Sequence, residues 1–239
     1  MAIRAVWFDL DGTLLPMEQE EFVKAYFGAL AAKLAPYGYE PNKLVEAIWT
    51  GTGAMVRNDG SCPNEKRFWE SFATVFGERV YGDQPLLDDF YEKEFDVAQK
   101  ACGYTPKAAE VVGLVKSKGL RVALATNPIF PAVATKKRVA WAGLDFSDFE
   151  LVTTYENSSY CKPNPAYYQS LLDNLGLAAD EVLMVGNDVG EDMIASTLGI
   201  RVFLLTDCLI CREGCSTEGY AQGDFDALLD YLRALESVE

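Results

Sequence analysis

The chain has 239 residues, of which 49% are hydrophobic, and it carries a formal net charge of −15 with no histidine. This length and composition predict a folded protein with a substantial core and exclude an intrinsically disordered chain. The acidic balance argues against nucleic acid and anionic membranes as partners, because both bind basic patches.

The first predicted element is a strand, IRAVWF at residues 3–8, which is followed at once by the sequence DLDGT. A secretory signal would need a longer apolar region and a small-residue cleavage site. No later run approaches the roughly 20 apolar residues of a membrane span. We therefore expect a soluble, cytoplasmic protein, either a monomer or a homodimer, with no membrane partner.

Residues 18–100 contain helix-like patterns and no convincing strand. The patterns are EQEEFVKAYFGALAAKL, PNKLVEAIWTGTGAM, NEKRFWESFATVF and QPLLDDFYEKEFDVAQ. A helical stretch between a first strand and a later α/β series predicts an inserted module. We assign residues 1–16 and 102–239 to an α/β core domain, and residues 17–101 to an α-helical cap domain over the carboxyl ends of the strands.

From residue 105 onward, short apolar runs alternate with helical patterns, which is typical of a parallel α/β sheet. The predicted strands are LRVALAT (120–126), FELVTT (149–154), EVLMVG (181–186) and IRVFLL (200–205). The last helical patterns are a short crossover helix, EDMIASTLG, and the closing helix DFDALLDYLRAL. The predicted fold class is α/β, a doubly wound, Rossmann-like parallel sheet with an inserted helical domain.

Polar side chains follow four of the five predicted strands. Asp9 and Asp11 follow the first strand, one residue apart. Such a pair alone is typical of an acidic turn, but the carboxyl ends of parallel strands lie at one edge of the sheet, where ligands bind. A purely structural role would need a separate coincidence at each strand end. The other polar groups are Thr126 and Asn127 in ATNP, Lys162 in YCKPNP, and Asp188 and Asp192 in VGNDVGED.

These residue types suit the transfer of a phosphoryl group. Asp9 and Asp188 offer hard oxygen ligands to Mg²⁺, which is usually held by one or two carboxylates and by phosphate oxygens. The cation allows Asp9 to approach an anionic phosphoryl group as a nucleophile. Asp11 points to the same side of an extended chain as Asp9. It can protonate the leaving oxygen and then deprotonate water, a role for which this chain has no histidine.

Further residues predict a site for the phosphate. Gly12 allows the backbone to approach a phosphate closely. Thr126 can donate a hydroxyl hydrogen bond to it, and Lys162 supplies a positive charge. We place Asn127, the neighbour of Thr126, in the same substrate-binding group.

The sequences DLDGT, ATN, CKPNP and GNDVGED, in this order over residues 9–192, resemble the four motifs of the haloacid dehalogenase superfamily. Most members of that superfamily are Mg²⁺-dependent phosphatases. The resemblance implies that Asp9 is the nucleophile and a metal ligand. It implies that Asp11 is the general acid and base, with its main-chain carbonyl on the metal, and that Asp188 completes the protein ligands. The helical insert resembles the family's C1-type cap, which closes over the site and excludes water.

The fourth motif departs from the family pattern. It often begins Gly-Asp, but here Asn187 separates Gly186 from Asp188. Because the Asp-x-x-x-Asp spacing survives, we keep Asp188 as the metal ligand. Asp192 would then hold Lys162 or metal-bound water from behind. The two aspartates can exchange these roles, and Asn187 would add a hydrogen bond.

The sequence therefore predicts a Mg²⁺-dependent phosphatase that hydrolyses a small phosphorylated metabolite through a phospho-Asp9 intermediate. A haloacid dehalogenase of the superfamily attacks carbon and needs neither Mg²⁺ nor an acid at position 11. A phosphomutase usually has a histidine soon after the first motif. A binding protein that kept the fold would not need Asp9, Asp11 and Lys162 together.

Two groups of cap residues and a cysteine cluster have ordinary structural interpretations. The basic residues could contact an anionic group of a substrate, but we interpret them as solvated surface charges. We interpret the aromatic residues as part of the cap core. With no histidine to complete a zinc site, the cluster CLICREGC is interpreted as a loop with free thiols. These residues are Arg57, Lys66 and Arg67; Trp49, Phe68 and Trp69; and Cys208, Cys211 and Cys215.

Overall fold

The computed structural model describes residues 2–236. Six strands within them form one parallel sheet. The strand order is β3-β2-β1-β4-β5-β6, so the order reverses between β1 and β4, where open α/β sheets bind ligands. The predicted α/β fold class is confirmed. The strands are β1 (Ala5–Phe8), β2 (Arg121–Leu124), β3 (Leu151–Val152), β4 (Val182–Gly186), β5 (Arg201–Leu205) and β6 (Ala221–Gly223).

Helices cover both faces of the sheet because successive strand residues point to opposite sides. In β1, Val6 and Phe8 belong to one buried cluster, while Ala5 and Trp7 belong to another. The first cluster includes residues of α5 (Pro106–Ser117), α6 (Ala132–Trp141) and α8 (Phe225–Arg233); the second includes residues of α7 (Pro165–Leu175) and of a 3₁₀ helix (Met193–Leu198). This is the doubly wound arrangement expected from the sequence.

The structure differs from the predicted elements in three places. Each observed strand is shorter than the apolar run from which it was predicted, and β3 has only two residues. The predicted crossover helix is the 3₁₀ helix Met193–Leu198. The strand β6 was not predicted, because it is an edge strand whose short, partly exposed sequence AQG has no apolar pattern.

Four helices lie between β1 and α5, and we call them the cap helices. α1 shows why they form: its buried residues Phe22, Tyr26, Leu30 and Leu34 recur every four positions and make one apolar stripe. These residues belong to the same buried cluster as Val6 and Phe8 of the sheet. The cap helices are α1 (Gln19–Leu34), α2 (Pro41–Val56), α3 (Asn64–Phe76) and α4 (Val80–Lys93), followed by a 3₁₀ helix (Phe95–Ala101).

The two chain segments that join the cap helices to the sheet lie side by side. The amide of Gly103 donates to the carbonyl of Pro16 at 2.7 Å, and the amide of Glu18 donates to the carbonyl of Ala101 at 3.2 Å. The two connecting segments are therefore hydrogen-bonded to each other. Separately, none of the helices within residues 2–236 has the length and apolar character to cross a bilayer.

Candidate active site

Asp9 follows β1 and lies at the end of a cavity. Its amide donates to the carbonyl of Val185 on β4 at 2.9 Å, which fixes the backbone, and its residue surface is 7% exposed. The Thr13 hydroxyl donates to Asp9 Oδ2 at 3.1 Å, and Lys162 Nζ donates to Asp9 Oδ1 at 2.9 Å. Both oxygens of the predicted nucleophile are therefore held in a defined orientation.

Lys162 lies between two carboxylates. Its Nζ donates to Asp9 and also to Asp192 Oδ1, at 2.6 Å, and its side chain is 1% exposed. Burial disfavours the charged form, but the neighbouring carboxylates of Asp192 and Asp9 outweigh it and raise the pKa of Lys162 above its ordinary value. The buried ammonium thus remains charged and neutralises part of the carboxylate cluster.

Asp11 is paired with Arg138 of α6. Arg138 Nη1 donates to Asp11 Oδ2, and Nη2 donates to the Thr135 hydroxyl at 3.2 Å. The guanidinium carbon lies 4.4 Å from the ring centroid of Phe130. Burial raises the pKa of Asp11; Arg138 opposes this rise and Asp9 adds to it. A carboxyl with a raised pKa is suited to donating a proton near neutral pH.

Gly12 is required by its neighbour Asn187. Its φ of +84° is in the left-handed region, and a Cβ at this position would lie 2.3 Å from Asn187 Nδ2. Asn187 accepts from the Thr13 hydroxyl at 3.0 Å and donates to the carbonyl of Cys208 at 2.7 Å. Asn187 therefore ties the first motif to the loop after β5, as its expected hydrogen-bonding role requires.

Asp188 lies in the loop after β4 and is held by backbone amides. Its Oδ1 accepts from the amides of Gly190 and Glu191 at 2.8 and 3.1 Å, while Arg212 Nη1 lies 2.6 Å from its Oδ2. Asp192 lies behind it, with Oδ2 accepting from the Asp188 amide at 3.0 Å and Oδ1 bonded to Lys162. This arrangement is the one expected if Asp188 faces the metal and Asp192 holds Lys162.

Thr126 and Asn127 follow β2 and line the same cavity. The hydroxyls of Thr153 and Tyr167 donate to the carbonyl of Thr126 at 2.6 and 2.9 Å, which fixes its backbone.

The two ends of the Asn127 amide are engaged within the protein. Nδ2 donates to Glu191 Oε2 at 3.0 Å, and Oδ1 accepts from the Lys162 amide at 3.3 Å. In this structure Asn127 joins two loops of the site.

The donor set fits Mg²⁺ held mainly by two carboxylates. Asp9 and Asp188 follow the adjacent strands β1 and β4, line one cavity, and offer the hard oxygens that Mg²⁺ prefers. Within residues 2–236, no three His, Cys, Asp or Glu side chains form a metal-binding group. A cation here would therefore rely on main-chain oxygen and water for its other ligands, and Arg212 would have to leave Asp188. The cysteines of the CLICREGC loop are free thiols.

Sequence reasoning missed three residues of this site. Thr13 stands within DLDGT, so its position in the motif was the available signal. Arg138 lies in an ordinary helical pattern, and Arg212 lies in the CLICREGC loop, where cysteines are the more prominent feature. The pairing of these arginines with Asp11 and Asp188 depends on contacts across 127 and 24 positions of sequence, which local patterns do not reveal.

Comparison with known proteins identifies the family of this chain. The chain matches haloacid dehalogenase-like hydrolases over residues 3–196. It belongs to this family, so the predicted resemblance and the predicted class of enzyme, a hydrolase, are confirmed.

Individual relatives cover most of the chain. Phosphoglycolate phosphatase of Pectobacterium atrosepticum is 28% identical over 224 residues, which are 93% of this chain and 84% of the relative. A HAD phosphatase from Thermococcus onnurineus superposes with a TM-score of 0.60 at 18% identity, covering 99% of this chain and 100% of the other. A 2-haloacid dehalogenase from Pseudomonas syringae gives 0.64 at 19% identity, covering 97% and 98%. The two structural likenesses show a shared fold.

Proposed function

We propose that this hydrolase is a Mg²⁺-dependent phosphatase that cleaves a small phosphomonoester through a phosphoaspartate at Asp9. The observation that carries the proposal is the position of Asp9, at the cavity wall with one oxygen on Lys162 and the other on Thr13. Asp11 lies on the same wall and has the raised pKa of a general acid. The relative named as a phosphoglycolate phosphatase gives the same class of reaction.

In the first step, an Asp9 carboxylate oxygen attacks phosphorus and the bond between phosphorus and the ester oxygen breaks. Protonated Asp11 gives its proton to the departing oxygen, so the leaving group departs as an alcohol. Lys162 and the Thr126 hydroxyl stabilise the negative charge around the phosphoryl group. A bound Mg²⁺, held by Asp9, Asp188 and the main-chain carbonyl of Asp11, would neutralise further phosphoryl charge.

In the second step, water attacks the phosphorus of the acyl phosphate. Asp11, now a carboxylate, accepts a proton from this water, and the bond between phosphorus and the Asp9 oxygen breaks. Inorganic phosphate is released and the Asp9 carboxylate is restored. The presence of Asp11 favours this sequence over dehalogenation, in which no leaving oxygen has to be protonated.

The same proposal includes the division into a core of residues 1–16 and 102–239 and a cap of residues 17–101. The two connecting segments near Pro16 and Ala101 are hydrogen-bonded to each other and would act as a hinge between the cap helices and the sheet. Closure would exclude water while the acyl phosphate forms. The cytoplasmic location and the choice between monomer and homodimer stay predictions from the sequence.

The test is hydrolysis of p-nitrophenyl phosphate with Mg²⁺ and with EDTA. We expect metal-dependent release by the wild type, and a loss of at least about a thousandfold in Asp9→Asn. Asp180→Asn, which changes an exposed carboxylate that precedes β4 and does not line the cavity, is the matched control and should keep wild-type activity. Full activity of Asp9→Asn, or equal activity in EDTA, would contradict the proposed mechanism.

A second measurement covers the case in which the cap rejects this artificial ester. Orthovanadate with Mg²⁺ should raise the melting temperature of the wild type more than either addition alone. A protein that neither hydrolyses phosphomonoesters nor responds to vanadate would instead be a binding protein.

A further inference from the structure

The cavity that begins at Asp9 and Asp11 continues deep between the cap helices. Its volume is about 320 Å³, within the range of small-molecule sites. All four cap helices contribute side chains to it, together with the segments after β2 and β3. The lining of this cap half of the cavity is dominated by aromatic groups, including Phe22, Tyr26, Trp49, Phe68, Trp69 and Tyr91.

Two buried hydroxyls of the cap half are bonded to each other. The Tyr26 and Tyr91 hydroxyls are 2.9 Å apart and buried, so each is already a hydrogen-bond partner of the other. A ligand entering this space therefore meets mainly aromatic and aliphatic carbon, together with the Trp69 Nε1 donor, which is buried without a hydrogen-bond partner. Apolar surface is removed from water when such a space is filled by an apolar group.

Basic side chains are scarce in this cavity. Among the residues that the structure describes, Arg212 is the one basic residue lining it, and its guanidinium is bonded to Asp188 at the sheet edge. Two basic residues of the cap contact acidic neighbours: Arg67 Nη2 lies 3.0 Å from Asp59, and Lys66 Nζ lies 3.8 Å from Glu70. An anionic group on the leaving alcohol would lose its hydration here without gaining a cation.

A cationic leaving group gains little more. Asp88 is the carboxylate that the cap helices contribute to the lining, and it is exposed to solvent, where an ion pair is worth little. The faces of aromatic rings also attract cations, but a cation that leaves water for this space loses its hydration and meets no buried carboxylate among the described residues of the cap half. The combination of aromatic walls, mutually bonded tyrosines and a single exposed acid fits an uncharged, flat apolar group best.

We propose that the substrate is a phosphomonoester of an uncharged aromatic or arylalkyl alcohol, with its ring between the cap helices and its phosphate at Asp9. This inference rests on the proposed phosphatase function and names the class of its substrate. The cap aromatics that the sequence indicates as cap core, Phe68 and Trp69, then bind the leaving group as well. Phosphoglycolate, with its second negative charge, is correspondingly a poor substrate.

The experiment compares esters whose alcohols have similar acidity, so that leaving-group chemistry does not decide the result. The compounds are 2-phenylethyl phosphate, ethyl phosphate, phosphocholine and phosphoglycolate, each assayed with Mg²⁺. We expect kcat/KM for 2-phenylethyl phosphate to exceed that of each other ester by at least about tenfold, because only its ring buries apolar area in the cap half. Equal or higher kcat/KM for any of the other three would overturn the inference.

A pair of variants on α2 tests the same point at a single position. Thr52 lines the cavity, whereas Thr50 is exposed and lines a different groove. Thr52→Arg should lower kcat/KM for 2-phenylethyl phosphate and raise it for phosphoglycolate, each by about tenfold or more. Thr50→Arg should leave both values unchanged. An equal response of both variants, or no change of preference in Thr52→Arg, would contradict the placement of the ring.

A binding measurement separates failure of this inference from failure of the proposed function. If none of the esters is hydrolysed above the level of Asp9→Asn, the phosphatase proposal fails. The affinity of 2-phenylethylphosphonate, ethylphosphonate and phosphonoacetate, measured by calorimetry with Mg²⁺, still decides the pocket. Tightest binding of 2-phenylethylphosphonate supports the inference, and tighter or equal binding of either other compound overturns it.

Discussion

The two ends of one cavity are built on opposite principles. At the sheet edge, the side chains of Asp9, Asp11 and Asp188 are each bonded to a basic side chain, so they are oriented before any ligand arrives. In the cap half, aromatic side chains pack against one another, as Phe68 and Trp69 do with ring centroids 5.5 Å apart. The edge is organised for charge and chemistry, and the cap half for shape and apolar contact. The distinction can be tested by removing charges one at a time.

The largest effect is expected for Lys162→Met. The substitution leaves Asp9 and Asp192 buried without their shared counter-ion, which should cost about 3–5 kcal/mol of unfolding free energy. Urea unfolding measures it. Lys107→Met, at a partly exposed lysine whose partner Asp226 is exposed, should cost less than about 1 kcal/mol. Similar costs for the two variants would mean that the edge is not held together by its ion pairs.

Arg138→Met should cost somewhat less, about 2 kcal/mol, because Asp11 keeps more contact with solvent than Asp192 does. The mechanism is checked by repeating the substitution in an Asp11→Asn background, where the cost should fall by about 1 kcal/mol or more. Equal costs in both backgrounds would show that Arg138 stabilises the protein through its packing on Phe130 instead.

Arg212→Gln should increase the affinity for Mg²⁺ by about threefold, since an exposed guanidinium no longer competes for Asp188. Calorimetry with Mg²⁺ alone measures this without any substrate. Arg233→Gln, which removes an exposed arginine paired with Asp230, should leave the affinity unchanged. A lower affinity in Arg212→Gln would mean that the arginine assists the cation rather than competing with it.

The smallest effect belongs to Asp88 at the rim of the cap half. Burial, followed by Glu92 and Glu156, raises the pKa of its carboxyl above the ordinary value. The folded protein therefore binds this proton more tightly than the unfolded chain, and the group costs stability as pH rises through the folded pKa. At neutral pH, Asp88→Asn should increase the free energy of unfolding by about 0.3 kcal/mol after solvent screening. The melting temperature should rise slightly as a result. The gain should vanish below the ordinary pKa of aspartate.

Much of the sheet edge could be predicted from the sequence because strand and motif coincide there. A short apolar run such as AVWF, bounded by Asp and Gly turn residues, predicts a buried strand, and a polar residue directly after that strand is expected at the carboxyl edge. The order of the motifs then indicated the family. Their expected roles in catalysis and metal binding stay predictions, which the ion-pair geometry supports.

Other features depend on packing that local patterns do not record. β6 could not be predicted because AQG pairs only with β5 and carries no apolar signal. The sequence predicts that Gly12 lets the backbone approach a phosphate. In the structure, a Cβ at this position would already clash with the Asn187 amide. Whether Trp69 is only core or also lines a cavity depends on the spacing of the cap helices, and sequence periodicity is the same in both cases.

The most direct test of the chemistry at the sheet edge uses Asp11→Asn with p-nitrophenyl phosphate and Mg²⁺. The p-nitrophenolate of this substrate can depart without a proton, so the first step does not need Asp11 as an acid. The second step still needs Asp11 as a base. The mechanism predicts a rapid burst of one equivalent of p-nitrophenol, followed by a stall, with acid-quenched protein carrying one phosphoryl group on the peptide that contains Asp9. Steady turnover without a burst, or a phosphoryl group on any other residue, would contradict it.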